Sequence, residues 1–344
     1  MVRSIDWTEF IELRDKVPLV DVRSELEYQA GHIPNAINIP LLNNAERIIV
    51  GTAYKQEGRR QAIKRGFELV GPRLAGLIEE AEHVAAQGEM LVHCWRGGMR
   101  SSNFCQFAEM AGIKTSTLKG GYKSYRHQAH ESFKLPLKLI LLSGCTGSGK
   151  SEVLRQLKQL GEQVIDLEGM ANHKGSAFGG LMMPPQPTTE QFENFLFEQI
   201  INLDLRKPIW VEDESIAVGR IFLPSEFWKT MRKSPVVMLN VEKGIRVNRL
   251  VDEYGIADRA QFLEAMTKIT KKLGGQHFKA AREKLEQNQM HDVMEILLTY
   301  YDKSYIGSIA KRNPEKLGEV NWDGISAKKA AQQLTELIKL QSSI

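Results

Sequence analysis

Cysteine is scarce, with three in 344 residues. An odd number without paired spacing excludes a disulfide framework and a cysteine-built zinc site. Long apolar runs are missing too, since no stretch approaches the roughly 18 to 20 residues that a membrane span needs. Neither sign of charge dominates: 46 Lys and Arg against 42 Asp and Glu leave a net charge of +4, too little to prove nucleic-acid binding. There is no internal repeat and no low-complexity tract, and the opening MVRSIDWTEFIELRDKV lacks the apolar core and cleavage site of a secretory signal. The expectation is a soluble cytoplasmic protein with no membrane partner.

A chain of this length predicts two or three domains. Its 42% hydrophobic and 26% charged residues are those of an ordinary globular protein. The basic residues are clustered, in YKQEGRRQAIKRG, LKGGYKSYRHQAH and KITKKLGGQHFKAAREK. Each cluster is either a solvated helix face or part of an RNA-binding surface; Lys64, Arg65, Lys271 and Lys272 are the candidates for the second role.

Two glycine-rich stretches stand out. In the first, VPLVDVRSELEYQAGHIPNAINIP reads as a short strand ending at Asp21 and Arg23, an acidic turn, a break over Gly31 to Pro34 and a second strand. A basic insertion and an amphipathic helix near Leu74 to Ala86 follow. EMLVHC is then a strand, WRGGMR a tight turn, and SSNFCQFAEMAG the start of a helix with its serines as caps. Such a turn aims backbone N–H groups at its centre, where the helix N-terminus adds positive potential. Cys94 is placed at the mouth of this nest. A free thiol is mostly protonated at neutral pH, and Arg96, Arg100 and the loop amides favour its anion, whereas Cys105 and Cys145 read as packed or idle positions.

The second stretch, KLILLSGCTGSGKS, carries a complete P-loop at Gly144 to Ser151 between a strand and the helix SEVLRQLKQLG. Gly144, Gly147, Ser148 and Gly149 shape a phosphate cradle, Lys150 reaches the outer oxygens and Ser151 suits a magnesium ion. Three further strands, QVIDLEG, PIWVEDES and PVVMLNV, predict a parallel sheet with its ligands at the C-terminal strand ends. Asp166 and Glu168 end one of them and Glu212, Asp213 and Glu214 end another; Asp166, Glu168, Glu212 and Asp213 form the acceptor or metal side, and one of the second group, Asp213 ahead of its neighbours, is the expected magnesium partner. DLEGMANHKGSAFGG, with His173 and Lys174, lies where P-loop kinases hold an acceptor. Arg246 and Arg249 share a helix face, as a phosphate clamp or as surface partners of Glu242, Asp252 and Glu253. From Gly255 the periodicity is helical, and the adjacent tyrosines of LTYYDKSY suit either base stacking or a core.

DVRSELEYQAGHIPNAINIP, the cysteine six positions before Arg100, and LKGGYKSYR together resemble a rhodanese domain. The resemblance implies that Cys94 carries sulfur or selenium, that Trp95 to Arg100 form its cradle, and that Asp21 with Arg23 fixes the loop. Over nearly the whole chain, the order CWRGGMRS, GCTGSGKS, DLEGMANHKGSAFG, VEDES, YYDKSY resembles the tRNA 2-selenouridine synthase family. That resemblance implies an α/β protein: a rhodanese-like domain over 1–134, a P-loop NTPase-like domain over 135–254 and a helical C-terminal region over 255–344. It further implies a transferase acting on 2-thiouridine at the tRNA wobble position, with geranyl diphosphate and selenophosphate as substrates, Mg2+ as a possible cofactor and a selenophosphate-producing enzyme as a possible partner. The residues alone admit two other readings. One is an ATP-dependent tRNA sulfurtransferase with a persulfide on Cys94; the other is a nucleotide-sensing scaffold without catalysis.

Overall fold

The computed structural model describes residues 2–312 and 314–341, in two compact units, Met1–Ser132 and Phe133–Ile344. Among the described residues, no helix is long and apolar enough to cross a membrane.

The first unit is built on five parallel strands, β1 (Arg3–Ile5), β2 (Leu19–Asp21), β3 (Ile37–Asn38), β4 (Glu89–His93) and β5 (Lys114–Leu118), in the spatial order β1-β5-β4-β2-β3. β4 is central, and all but its first residue are buried. Its continuous apolar run is what helices on both faces of a parallel sheet require. The acidic turn expected after β2 is a helix, Glu25–Ala30, opened by a capping box between Ser24 and Glu27. The basic insertion is two helices, Asn44–Gln56 and Arg59–Val70. The helix after β4 starts at Met99, with Gly98 as its cap. Ser101 and Ser102 therefore lie inside its first turn rather than capping it, because the short loop reaches helical geometry before them.

The second unit carries β6 (Leu139–Ser143), β7 (Gln163–Ile165), β8 (Ile209–Glu212), β11 (Val236–Asn240) and β12 (Lys316–Asn321), all parallel, in the order β12-β11-β6-β8-β7. A two-strand hairpin, β9 (Ala217–Val218) with β10 (Ile221–Phe222), stands apart from that sheet. The chain fills one side of β6 and then the other, so the P-loop leaves the sheet at its switch point.

The region from Gly255 does not stand apart. β12 completes the sheet beside β11, and the helix Ala327–Gln341 lays Ala327, Ala330, Ala331 and Leu334 into one core with Val153, Leu154 and Leu157 of the P-loop helix. The helical segment expected over 255–344 therefore contains a strand. KLGEVN hides it, because one glycine and alternating charges weaken the strand pattern. Tyr300 and Tyr301 pack on a core cluster around Phe178 and Phe262, so their role is packing rather than base stacking.

Candidate functional site

Each unit ends its central strand in a glycine loop, and each loop has its own chemistry. In the first, Cys94 is only 3% exposed: the thiol forms the floor of the loop, not its mouth. The Gly98 amide donates to Sγ at 3.3 Å, and the Ser101 hydroxyl lies 3.2 Å from it. That hydroxyl is also within hydrogen-bonding distance of the Gly98 carbonyl, at 3.1 Å. Gly97 at φ +63° and Gly121 at φ +57° bring two chain segments together: a Cβ on Gly121 would lie 2.3 Å from the Cys94 carbonyl and 2.5 Å from the Gly97 amide. The two amides after Gly121 close the contact, with Tyr122 donating to the Cys94 carbonyl and Lys123 to that of Trp95, each at 2.9 Å. The GG of LKGGYKSYR is thus the back wall of the cysteine loop.

Beneath it, Arg23 and Asp21 form a fully buried ion pair at 2.7 Å. Arg23 also donates to the Gly31 carbonyl and lies 3.9 Å from the centre of the Tyr122 ring, so the pair braces the wall. Burial pushes the Asp21 carboxyl up, but His93 and Arg23 together outweigh it and hold the carboxyl below its usual range. His93, next in sequence to Cys94, is buried with neither ring nitrogen hydrogen-bonded among the described residues. Burial lowers its pKa despite the nearby Asp21.

The two loop arginines differ. Arg100 is anchored to Glu27 through two hydrogen bonds, of 2.5 and 3.1 Å; burial pushes Glu27 up, and the Arg100 partnership reverses the shift. Arg96 is exposed and makes no ion pair among the described residues, so it is the freer cation at the loop mouth. Glu27 was readable from its spacing to Ser24 as a helix cap, but nothing in the sequence links it to Arg100, 73 residues away. Cys105 is fully buried on the helix and its thiol is pushed up to about 12 by burial.

In the second unit, Gly147 and Gly149 take left-handed backbone, φ +79° and +75°. Lys150 donates to the Gly144 carbonyl at 3.0 Å. Ser148 buries its hydroxyl inside the loop without a partner among the described residues. Ser151 hydrogen-bonds Glu168 at 2.5 Å. The acid beside Ser151 is therefore Glu168, whereas Asp213, the favoured metal acid, is held by Arg312 and by the Ser143 hydroxyl, with Tyr305 extending the network at 2.8 Å.

Glu212 is fully buried and accepts from the Leu167 amide at 3.0 Å. Burial, then Asp166 and Glu168, push its carboxyl well above the usual range. Burial and Glu168 likewise push Glu214 up to about 8. These acids crowd one another beside the P-loop, and the crowding makes Glu212 and Glu214 hold their protons. No group of three or more His, Cys, Asp or Glu forms a ready metal cage among the described residues. A magnesium ion, which keeps most of its waters, needs only one or two protein oxygens beside phosphate, a number that Ser151 and Glu168 would meet.

Asp166 caps its own short helix through the Gly169 amide at 2.7 Å. Lys174 pairs with Glu253 beside the Tyr254 ring, and burial lowers the pKa of His173. Arg246 is buried, donates to the P-loop carbonyl of Thr146 at 3.2 Å and grips Asp302 with two bonds of 2.7 and 2.8 Å. Arg249 binds Glu152 at 2.6 Å and lies 4.8 Å from the centre of the Trp322 ring. The two arginines therefore buttress the P-loop through partners that neither alternative reading had named.

Comparison with known proteins agrees with this division. A rhodanese-like domain family matches residues 6–128, and a family described as the tRNA 2-selenouridine synthase AAA domain matches residues 137–335. A tRNA 2-selenouridine synthase from Bdellovibrio bacteriovorus is 36% identical, covering 87% of this chain and 91% of that protein. Proteins of the same name from Nitrosomonas europaea and Shewanella oneidensis are 31% and 35% identical, covering 91% and 86% of this chain and 95% and 87% of theirs.

Proposed function

From the premise that this chain belongs to the tRNA 2-selenouridine synthase family, we propose that it replaces the sulfur of wobble 2-thiouridine in tRNA with selenium through an S-geranyl intermediate. The observation that carries this reading is the pairing, in one chain, of a loop floored by a thiol with a loop crowned by a lysine. One suits a chalcogen and the other a phosphate leaving group.

In the first step the thiocarbonyl sulfur attacks C1 of geranyl diphosphate, the C1–O bond breaks, and diphosphate departs as the base loses its N3 proton. Lys150 and the P-loop amides oppose the charge that grows on the leaving group, which is electrostatic stabilisation by groups already in place. Ser151 and Glu168 are the oxygens that would hold magnesium, which when bound supplies further neutralisation of the diphosphate. In the second step selenium from selenophosphate adds to C2 of the base, the C2–S bond breaks, geranyl thiolate leaves, and water cleaves the Se–P bond to release phosphate. The Cys94 loop, with Arg96 at its mouth, is the cradle for this donor, and a selenophosphate-producing enzyme is the partner that the chemistry calls for. Selenophosphate already carries selenium at the selenide level, so this transfer needs no redox partner, and the Cys94 thiol acts in it as part of the donor's cradle.

The test is nucleoside analysis of thiolated tRNA after incubation with geranyl diphosphate, selenophosphate and a thiol. Cys94→Ala should still geranylate but fail to selenate, so that S-geranyl-2-thiouridine accumulates. Normal 2-selenouridine formation by Cys94→Ala would remove the thiol from the selenation step.

A further inference from the structure

The first unit holds a cavity of about 140 Å3 between the helices Asn44–Gln56, Arg59–Val70 and Met99–Met110. We propose that this cavity receives the geranyl chain of S-geranyl-2-thiouridine while C2 of the base faces the Cys94 loop. The proposal rests on the function proposed above and adds to it the place of the hydrocarbon.

Position is the first argument. The helix that begins at the Cys94 loop contributes Met99, Asn103 and Phe107 to the cavity wall. Those positions run from the loop along one helix face for roughly 12 Å at 1.5 Å per residue, a length suited to an extended ten-carbon chain. In the selenation step the departing sulfur is bonded to C2, and C2 must meet selenium at the cysteine loop. The chain attached to that sulfur must therefore begin within a few bond lengths of the loop, and Met99 directly follows Gly98, whose amide holds Sγ.

Chemistry is the second argument. Ile63, Gly66 and Val70 form an opposite wall on the helix Arg59–Val70. Arg100, the charged side chain nearest the loop end, is occupied by Glu27, and the lining is otherwise largely hydrocarbon. At the rim Tyr54 and Phe67 are 60% exposed and Met99 42%. Large apolar groups turned to water around an apolar cavity suit a hydrophobic ligand that arrives attached to a polar body, as a prenyl group on RNA does.

Gly66 offers a direct test. It lies in mid-helix, and a Cβ added there would meet nothing within 4 Å, so Gly66→Leu fills the cavity without backbone strain. The substrates are anticodon stem-loop RNAs bearing S-geranyl-, S-dimethylallyl- or S-methyl-2-thiouridine, incubated with the full chain, selenophosphate and a thiol. Each buried methylene is worth about fourfold in binding, so the wild-type chain should favour geranyl over methyl by more than tenfold in kcat/KM. Gly66→Leu should collapse that preference to within about threefold, mainly through a higher KM for the geranyl RNA. A preference that survives in Gly66→Leu, or a wild-type chain indifferent to tail length, overturns the proposal.

A second measurement uses the unaltered protein. RNA carrying a photoreactive geranyl analogue on sulfur should label peptides from 59–70 or 99–107, and labelling confined to 133–344 would refute the assignment. If the wild-type chain selenates S-methyl RNA but no S-geranyl RNA, the S-geranyl route itself fails. If it selenates geranyl RNA without labelling this cavity, only the present inference falls.

Discussion

The two glycine loops share a plan and differ in what they leave available. Both follow the buried central strand of a parallel sheet, both need left-handed glycines, and both open a helix. In the Cys94 loop the strong charges are consumed by architecture: Asp21 and Arg23 neutralise each other under the loop, and Glu27 holds Arg100. The thiol is left with an amide and a hydroxyl. In the P-loop the balance is reversed, with Lys150 resting on a carbonyl of its own loop and the Glu168 carboxyl hydrogen-bonded to Ser151 beside it. A cradle for a chalcogen keeps charge at its edges, whereas a cradle for a diphosphate concentrates it at the centre, where it acts most strongly on a leaving group.

The sharpest way to break this comparison is to remove the central charge. Lys150→Ala should lower geranylation of 2-thiouridine tRNA by on the order of 100-fold or more, the scale of losing one preorganised electrostatic group, while selenation of RNA that is already S-geranylated persists. Nucleoside analysis of the two half-reactions checks it. Equal loss in both would mean that the loops do not divide the chemistry, and tRNA-stimulated ATP hydrolysis would favour an ATP-dependent sulfurtransferase.

Next in size is the buttress behind the P-loop. Asp302→Ala strands a buried guanidinium, and breaking such a pair from one side costs on the order of 3 kcal/mol. Chemical denaturation should register that loss. The double variant Asp302→Ala with Arg246→Met should recover part of it, because the uncompensated charge is then gone. An additive double variant would mean that the pair is not the element being read.

Both loops were legible from sequence because each compresses its information into a few adjacent residues whose types the chemistry dictates. Long-range partners were not. Glu27 reaches Arg100 across 73 positions and Asp302 reaches Arg246 across 56, and spacing rules describe only neighbours within a helix turn. Asp213 looked like the metal acid because it sits at a strand end among acids, and only the tertiary fold brings Arg312 to it and Glu168 to Ser151. β12 was missed for a different reason. An edge strand packed mainly on one side tolerates the glycine and charges that blur its pattern.

A smaller effect is expected on RNA binding, where charge acts outside both loops. Lys64, Arg65, Lys271 and Lys272 are all exposed. If they meet phosphates, affinity for thiolated tRNA should fall by about 10-fold or more between 50 and 200 mM salt, and replacing any one with Ala should lower the log–log salt slope by about one. Filter binding across a salt series measures both, and a slope unchanged in all four variants would remove these residues from the RNA surface.

The smallest effect belongs to the cysteine that the Cys94 loop does not use. Cys105 is fully buried and its thiol is pushed up to about 12, so at pH 8 it should resist iodoacetamide in the native protein and react only after unfolding. Cys105→Ala should cost about 1 kcal/mol, the scale of trimming one small buried side chain where the site relaxes. The sign of its pH dependence is fixed by the direction of the shift. The unfolded thiol loses its proton near 9 while the folded one keeps it to about 12, so the folded state binds more protons in that window and stability falls as pH rises through it. Cys105→Ala should therefore narrow its deficit against the unaltered chain above pH 9, as denaturation midpoints at pH 7.5 and pH 10 would reveal. A deficit that stayed constant would mean that the thiol ionises alike in both states, and the helix interior would then be far wetter around Cys105 than its burial implies.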